Sequence, residues 1–108
     1  APSYADTEWA EVVALYDRLY AIQPTPVVAL NRALAIAELR GPEAALAEVE
    51  PLAERLAGYH LHHAARGELL RRLGRAEEAR RADEDALRLT DNPAEQRLLR
   101  ERIAAAGA

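Results

Sequence analysis

The sequence has no cysteine, lysine, phenylalanine or methionine, and its 108 residues include a single tryptophan. Without cysteine the chain cannot form a disulfide, a thiolate nucleophile or a cysteine-ligated zinc site. No apolar run approaches the roughly 20 residues that span a membrane as a helix, and no signal peptide opens the chain. We therefore expect a cytoplasmic protein with no membrane partner.

Positive charge is scarce in the first half of the chain. Residues 1–58 carry four arginines and nine acidic residues, whereas residues 59–108 carry ten arginines and nine acidic residues, and the net charge of the whole chain is −4. Binding to nucleic acid depends largely on neutralising phosphates. A net-acidic chain is poorly suited to this, so we expect no direct contact with nucleic acid.

Alanine and leucine dominate the apolar residues and recur at helical spacing, which predicts an all-α fold of about six helices. We expect Asp6 or Thr7 to cap the first helix, and Thr25 with Pro26 to start the second. Pro51 predicts a kink or break near Val49–Glu50 in the third. The predicted helices are Thr7–Ile22, Pro26–Arg40, Pro42–Ala57, Tyr59–Leu73, Ala76–Leu89 and a last one from Pro93.

Two glycines and a capping residue mark further boundaries. Gly41 and Gly74 each follow a predicted helix, where a left-handed residue commonly closes it. Asn92 is a candidate N-cap for the last helix, and Glu95 can complete a capping box.

The glycines also indicate an internal repeat, because they stand 33 positions apart, each between two helices. Helix pairs recurring at about 34 residues are typical of tetratricopeptide repeats. With Gly74 at the family's glycine position, Gly67, Ala79 and Ala86 fall at its small-residue positions, where helices cross closely. Asp83 departs from the pattern, which prefers an aromatic residue there, and this puts tight packing of that repeat in doubt.

The same register extends to the start of the chain and predicts its organisation. Residues 1–6 form a linker, and residues 7–108 form a tetratricopeptide-like domain. Within that domain we expect a half repeat at 7–26, whole repeats at 27–59 and 60–92, and a capping helix at 93–106. Since such repeats bury their faces against neighbours, an upstream helix or a partner is expected to cover the face around Trp9 and Tyr16.

Several segments go beyond the generic repeat spacing: Thr7–Trp9, Val13–Asp17, Pro24–Ala33, Gly41–Pro42, Leu56–His60, Ala64–Arg75 and Asn92–Arg97. Together they resemble the C-terminal tetratricopeptide-like extension of one group of extracytoplasmic-function sigma factors of the sigma-70 family. The resemblance implies a regulatory domain that modulates transcription initiation through protein contacts. Its implied partners are the sigma factor's own promoter-binding and core-binding regions or RNA polymerase, and another protein is a further candidate.

First helices line the concave groove of such repeats, and this predicts a partner-binding groove. Two arginines in it can pair with a carboxylate or an acidic peptide. The competing interpretation is that these are solvated residues at helix ends. The candidate groove residues are Asn31, Glu38, Glu68, Arg71 and Arg72.

Other clusters have simpler interpretations than a site. His60, His62 and His63 lack the further ligands that a metal needs, and we interpret them as packing or surface residues. The arginines of residues 71–81 have acidic neighbours that cancel much of their field. Asp83 and Asp85 show no apolar pocket or base that would make them a catalytic pair. Trp9 and Tyr16 are interpreted as core residues.

The sequence therefore predicts a protein without enzymatic activity, cofactor or metal. Two other hypotheses remain open beside the sigma-factor domain. One is a stand-alone tetratricopeptide scaffold that binds a peptide or protein partner outside transcription. The other is a small helical enzyme, which would require a buried cluster of groups with shifted pKa values in a cleft.

Overall fold

A computed structural model describes residues 3–106, and every regular element in that range is helical. This confirms the predicted all-α fold and its six helices. The elements are α1 (Tyr4–Ile22), α2 (Pro26–Arg40), α3 (Pro42–Val49), a 3-10 turn (Glu50–Leu52), α4 (His60–Arg72), α5 (Ala76–Leu89) and α6 (Pro93–Ala106).

The first helix begins earlier than predicted, at Tyr4. Ser3 caps it, because its hydroxyl accepts a hydrogen bond from the Asp6 amide at 3.1 Å and its own amide donates to the Asp6 carboxylate at 3.4 Å. This capping box satisfies two amides that a helix start leaves open. Residues 4–6 are thus helical, which corrects the predicted linker 1–6, and residues 1–2 of that linker lie outside the described residues.

Most of the predicted helix boundaries are confirmed. Thr25 Oγ1 accepts from the Val28 amide at 3.2 Å with Pro26 at the first helical position. The third helix ends at Val49 and gives way to the 3-10 turn that contains Pro51, as the proline predicts. The chain does not resume a helix before Gly58, so the predicted extension of this helix to Ala57 is wrong.

The chain divides into two compact units, residues 1–55 and 56–108. In the first unit, α2 packs against both α1 and α3 and buries most of the unit's core. Arg32 on α2 also joins its neighbours, since its guanidinium lies 2.5 Å from Asp17 on α1 and 3.7 Å from Glu48 on α3. The core residues of α2 are Val28, Leu30, Ala33, Ala35, Ile36 and Ala37.

In the second unit, α5 packs against both α4 and α6. The small residues predicted at the helix crossing are buried here: Gly67, Ala79 and Ala86. Ala86 is fully enclosed and Ala79 is 3% exposed. Small side chains at these positions allow the close approach of α4 and α5 that the repeat pattern predicts. The division of the chain into one half repeat and two whole repeats stays a prediction.

Candidate interaction surface

Two of the predicted groove residues line a groove in the first unit. Asn31 and Glu38 stand on the exposed face of α2, seven positions apart, which is two helical turns. Ala35 lies between them and is 2% exposed, so it forms part of the floor. The groove is lined by Trp9, Val12, Tyr16, Asn31, Leu34, Ala35 and Glu38.

The opposite wall of this groove is the aromatic stripe of α1. Trp9, Val12 and Tyr16 follow one another at spacings of three and four residues, which places them on one helix face. All three are half-buried, so they are neither enclosed core residues nor fully solvated. The interpretation of Trp9 and Tyr16 as core is therefore corrected: both are half-buried and line a groove, and no further helix among the described residues of the unit lies over them.

A second apolar surface adjoins the groove on α1. Leu15 is 56% exposed and lies with Trp9 and Val12 in a shallow depression. Glu8 and Glu11 complete that depression, and both are exposed. Among the lining residues that the structure describes, neither depression has an arginine. We call the two depressions together the α1–α2 groove.

The other three predicted groove residues lie on α4 in the second unit and contact one another. Glu68 Oε1 accepts from Arg72 Nε at 3.2 Å, and Glu68 Oε2 accepts from Arg71 Nη2. Burial and the nearby charge of Arg102 lower the pKa of Arg71. An incoming carboxylate would compete with Glu68 for these two arginines, and their predicted role as an acidic-peptide clamp stays a prediction.

The most enclosed charged group of the second unit was not predicted as structural. Asp83 on α5 is 2% exposed, and its two carboxylate oxygens accept hydrogen bonds from Arg102 on α6 at 2.6 and 3.3 Å. Arg102 Nη2 also donates to the carbonyl of Ala64 on α4 at 3.1 Å. One guanidinium thus ties α6 to both other helices of the unit.

Gly67 provides the space for this ion pair. A Cβ atom at Gly67 would lie 2.2 Å from Asp83 Oδ1 and 3.1 Å from Arg102 Nη2. The position that the repeat pattern fills with an aromatic ring is therefore filled by a carboxylate and its arginine. Tight packing is preserved, which answers the doubt raised by Asp83. Burial raises the pKa of the Asp83 carboxyl, while the charges and hydrogen bonds of Arg102, and the charge of Arg71, act in the opposite direction.

The three histidines have separate environments. His62 is 1% exposed and belongs to the core of the second unit. His60 Nε2 lies 2.8 Å from Glu95 Oε2, which also accepts from Thr90 Oγ1 at 2.7 Å, and His63 Nε2 lies 2.7 Å from the carbonyl oxygen of Ala57. Within residues 3–106, no three histidine or carboxylate side chains converge in a way that could hold a metal ion.

The start of α6 is only partly as predicted. Asn92 Oδ1 caps the Glu95 amide at 3.0 Å, but the Asn92 amide donates to Thr90 Oγ1 at 3.2 Å, and not to Glu95. The Glu95 carboxylate points instead to Thr90 and His60. The predicted capping box is therefore wrong in one of its two hydrogen bonds, because Thr90 competes for the amide.

Arginines on α5, and Arg75 immediately before it, pair with acidic residues of this helix. Arg80 lies between Glu77 and Glu84, and Arg75 Nη2 is 2.7 Å from Glu78. Hydrogen bonds from Arg80 and Arg75 lower the pKa values of Glu77 and Glu78, respectively. This cancellation of charge agrees with the interpretation of residues 71–81 as a solvated, mixed-charge surface.

The chain is similar in sequence to a known bacterial protein that is uncharacterized. The chain is 53% identical over 94 residues to an uncharacterized protein of Rhizobium meliloti (strain 1021), a match that covers 87% of this chain and 22% of that protein. The chain therefore spans about a fifth of the length of this relative. No protein-family model matches the chain. No solved structure matches it either. In the described range, no helix combines the length and apolarity needed to cross a bilayer.

Proposed function

We propose that the chain is a regulatory protein-interaction domain of a bacterial RNA polymerase sigma factor, and that it modulates transcription initiation through protein contacts. Its partners are the sigma factor's own promoter-binding and core-binding regions or RNA polymerase. The domain acts in the cytoplasm by binding and has no catalytic role.

The observation that carries the proposal of a binding role is the α1–α2 groove. It combines half-buried aromatic rings with exposed leucines on a helical frame: Leu15 is 56% exposed and Leu34 is 39% exposed. Contiguous exposed apolar surface of this kind commonly marks a site of protein interaction. The buried charged groups of the second unit, by contrast, are held in a structural ion pair.

Two further observations support the assignment to a sigma factor. Several segments of the chain, with the run Pro24–Ala33 the most specific, resemble the C-terminal extension of these proteins. The match to the Rhizobium meliloti protein covers only 22% of that protein, which leaves nearly four fifths of it for other regions, as an extension domain requires.

The class of partner is supported by charge. The net charge of −5 over residues 1–58 favours a protein partner over a nucleic acid.

Deletion of residues 3–106 from the full-length protein that carries them tests the proposal. Transcription from the target promoter is measured with purified RNA polymerase, and we expect the deletion to change it at least severalfold while the remaining protein stays folded. The coding sequence upstream of Ala1 should encode promoter-binding helices. Unchanged transcription, or an upstream region without such helices, would refute the assignment.

A further inference from the structure

We propose that the α1–α2 groove binds an amphipathic helix whose apolar stripe is flanked by arginine or lysine residues. This inference rests on the proposed interaction role and names the chemistry of its partner. Three features of the groove, its apolar walls, its backbone and its charge, each lead to one part of the description.

The apolar walls of the groove favour a partner helix with an apolar stripe. Trp9, Val12 and Tyr16 extend over seven residues of α1, about 10 Å at 1.5 Å per residue. Leu34 projects from α2 on the other side and is 39% exposed. A helix that lays side chains spaced by three, four and seven residues into this groove would contact both walls over two turns.

The backbone of α1 and α2 favours a helical partner. The amides and carbonyls of α1 and α2 are used within their own helices, and the described residues contain no strand whose edge could pair with an extended peptide. A partner in this groove finds no free backbone groups to pair with, which favours a helix, because a helix satisfies its own backbone groups.

The acidic residues of the groove favour basic residues beside the partner's apolar stripe. Glu8 and Glu11 line the exposed side of the groove. In the part of the chain that the structure describes, neither of these two carboxylates forms a salt bridge with an arginine, and the residues lining the groove include no arginine. Basic flanks would gain from these carboxylates, whereas acidic flanks or a phosphate backbone would be repelled. The partner chemistry is thus opposite to the acidic peptide expected from the arginines of α4.

The single tryptophan makes the binding test direct, because Trp9 lies in the groove itself. The 108-residue chain is titrated at low salt with a synthetic 14-residue helix that carries leucines on one face and arginines beside them. A matched peptide has glutamate in place of every arginine. We expect a saturable blue shift of Trp9 emission with the basic peptide and at least tenfold weaker binding of the acidic one.

Three variants locate the site. E8Q/E11Q should weaken binding of the basic peptide by about threefold to tenfold, an effect that salt removes. Leu34→Arg should abolish binding, and Leu98→Arg, on the exposed face of α6, should leave it unchanged. Circular dichroism verifies that each variant is folded. Equal affinity for both peptides, unchanged binding by Leu34→Arg, or a shift traced by sedimentation to self-association would overturn the inference.

The same variants separate this inference from the proposed function. Leu34→Arg in the full-length protein should change transcription as the deletion of residues 3–106 does. If the deletion changes transcription but the basic peptide does not bind, or Leu34→Arg does not weaken its binding, this inference fails while the function stands. If the basic peptide binds as expected and the deletion changes nothing, the sigma-factor function fails while the helix-binding groove stands.

Discussion

Arg102 Nη2 on α6 lies 2.6 Å from Oδ1 of Asp83 on α5, and the carboxylate is 3% exposed at the side chain. Water cannot compensate either charge fully at this depth, so each depends on the other. The same guanidinium binds the Ala64 carbonyl, and in this way the last helix is fixed to the first helix of its unit by a polar contact. The stability of the second unit should therefore be sensitive to Asp83.

We expect Asp83→Ala to lower the free energy of unfolding by about 3–5 kcal/mol, because it leaves the mostly buried Arg102 side chain without its carboxylate partner. Asp85→Ala is the matched control on the same helix, since Asp85 pairs with Arg88 at the surface, and it should cost about 0.5 kcal/mol or less. Urea unfolding followed by circular dichroism gives both values. Similar costs for the two variants would show that the buried pair has no special importance.

Gly67→Ala should destabilise the protein by about 1–3 kcal/mol, since the new methyl group would lie within 2.2 Å of a carboxylate oxygen that Arg102 holds in place. In the Asp83→Ala background the same change should become neutral or stabilising, because alanine is the better helix former and the carboxylate that blocks the methyl group is gone. The double-mutant cycle measures this coupling. Additive effects would mean that glycine is required here for another reason.

The raised pKa of Asp83 predicts how its contribution varies with pH. A carboxyl with a higher pKa in the folded than in the unfolded state stabilises the fold fully below its unfolded pKa, about 3.9, and this part is lost as pH rises through the folded pKa. Asp83→Asn, which does not titrate, should therefore cost more stability at pH 3 than at pH 7. Unfolding curves across this range test the sign, and a larger cost at pH 7 contradicts it.

Glu77 and Glu78 should behave in the opposite way, because hydrogen bonds from arginines lower their pKa values. Their stabilisation is present above the unfolded pKa of about 4.3 and is lost as pH falls through the folded value. Glu77→Gln and Glu78→Gln should thus reduce the melting temperature at pH 7 and leave it unchanged near pH 2. Glu43→Gln, in the first turn of α3, is the control for the charge change at a helix start.

Local rules were enough to predict most of the fold. Thr25 with Pro26 and Pro51 determine helix ends through their own backbone chemistry, so their effects could be predicted without knowing the rest of the molecule. The start of α1 was missed although Ser3 and Asp6 have capping-box spacing, because the chain before Thr7 has no apolar periodicity. The predicted capping box at Asn92 failed through a competing neighbour, Thr90.

The candidate sites were harder to predict because they depend on residues distant in sequence. Asp83 looks like a mismatch in the repeat pattern, and only Arg102, 19 positions later, explains it. Asn31 and Glu38 could be selected from the repeat register, but the aromatic wall opposite them belongs to another helix. Helical periodicity indicates which face is apolar, and it does not indicate whether a further helix covers that face.

Gly41 in the first unit and Gly74 in the second provide a test of backbone conformation that is independent of packing. Gly41 has φ 93° and ψ 169° between α2 and α3, a region almost restricted to glycine, although a Cβ atom there would meet nothing within 4 Å. Gly74, also predicted to be left-handed, has φ 77°. We expect Gly41→Ala to cost about 1–3 kcal/mol through backbone strain.

Gly58→Ala is the control for that prediction, since its added Cβ atom also meets nothing and its φ is not in the strained range. It should leave stability unchanged or raise it by a few tenths of a kcal/mol, because alanine restricts the unfolded chain. Thermal unfolding of both variants separates the effect of backbone strain at Gly41 from the effect of an added methyl group alone at Gly58. Equal melting temperatures would show that α2 and α3 tolerate another connection, and that the turn at Gly41 does not hold them in place.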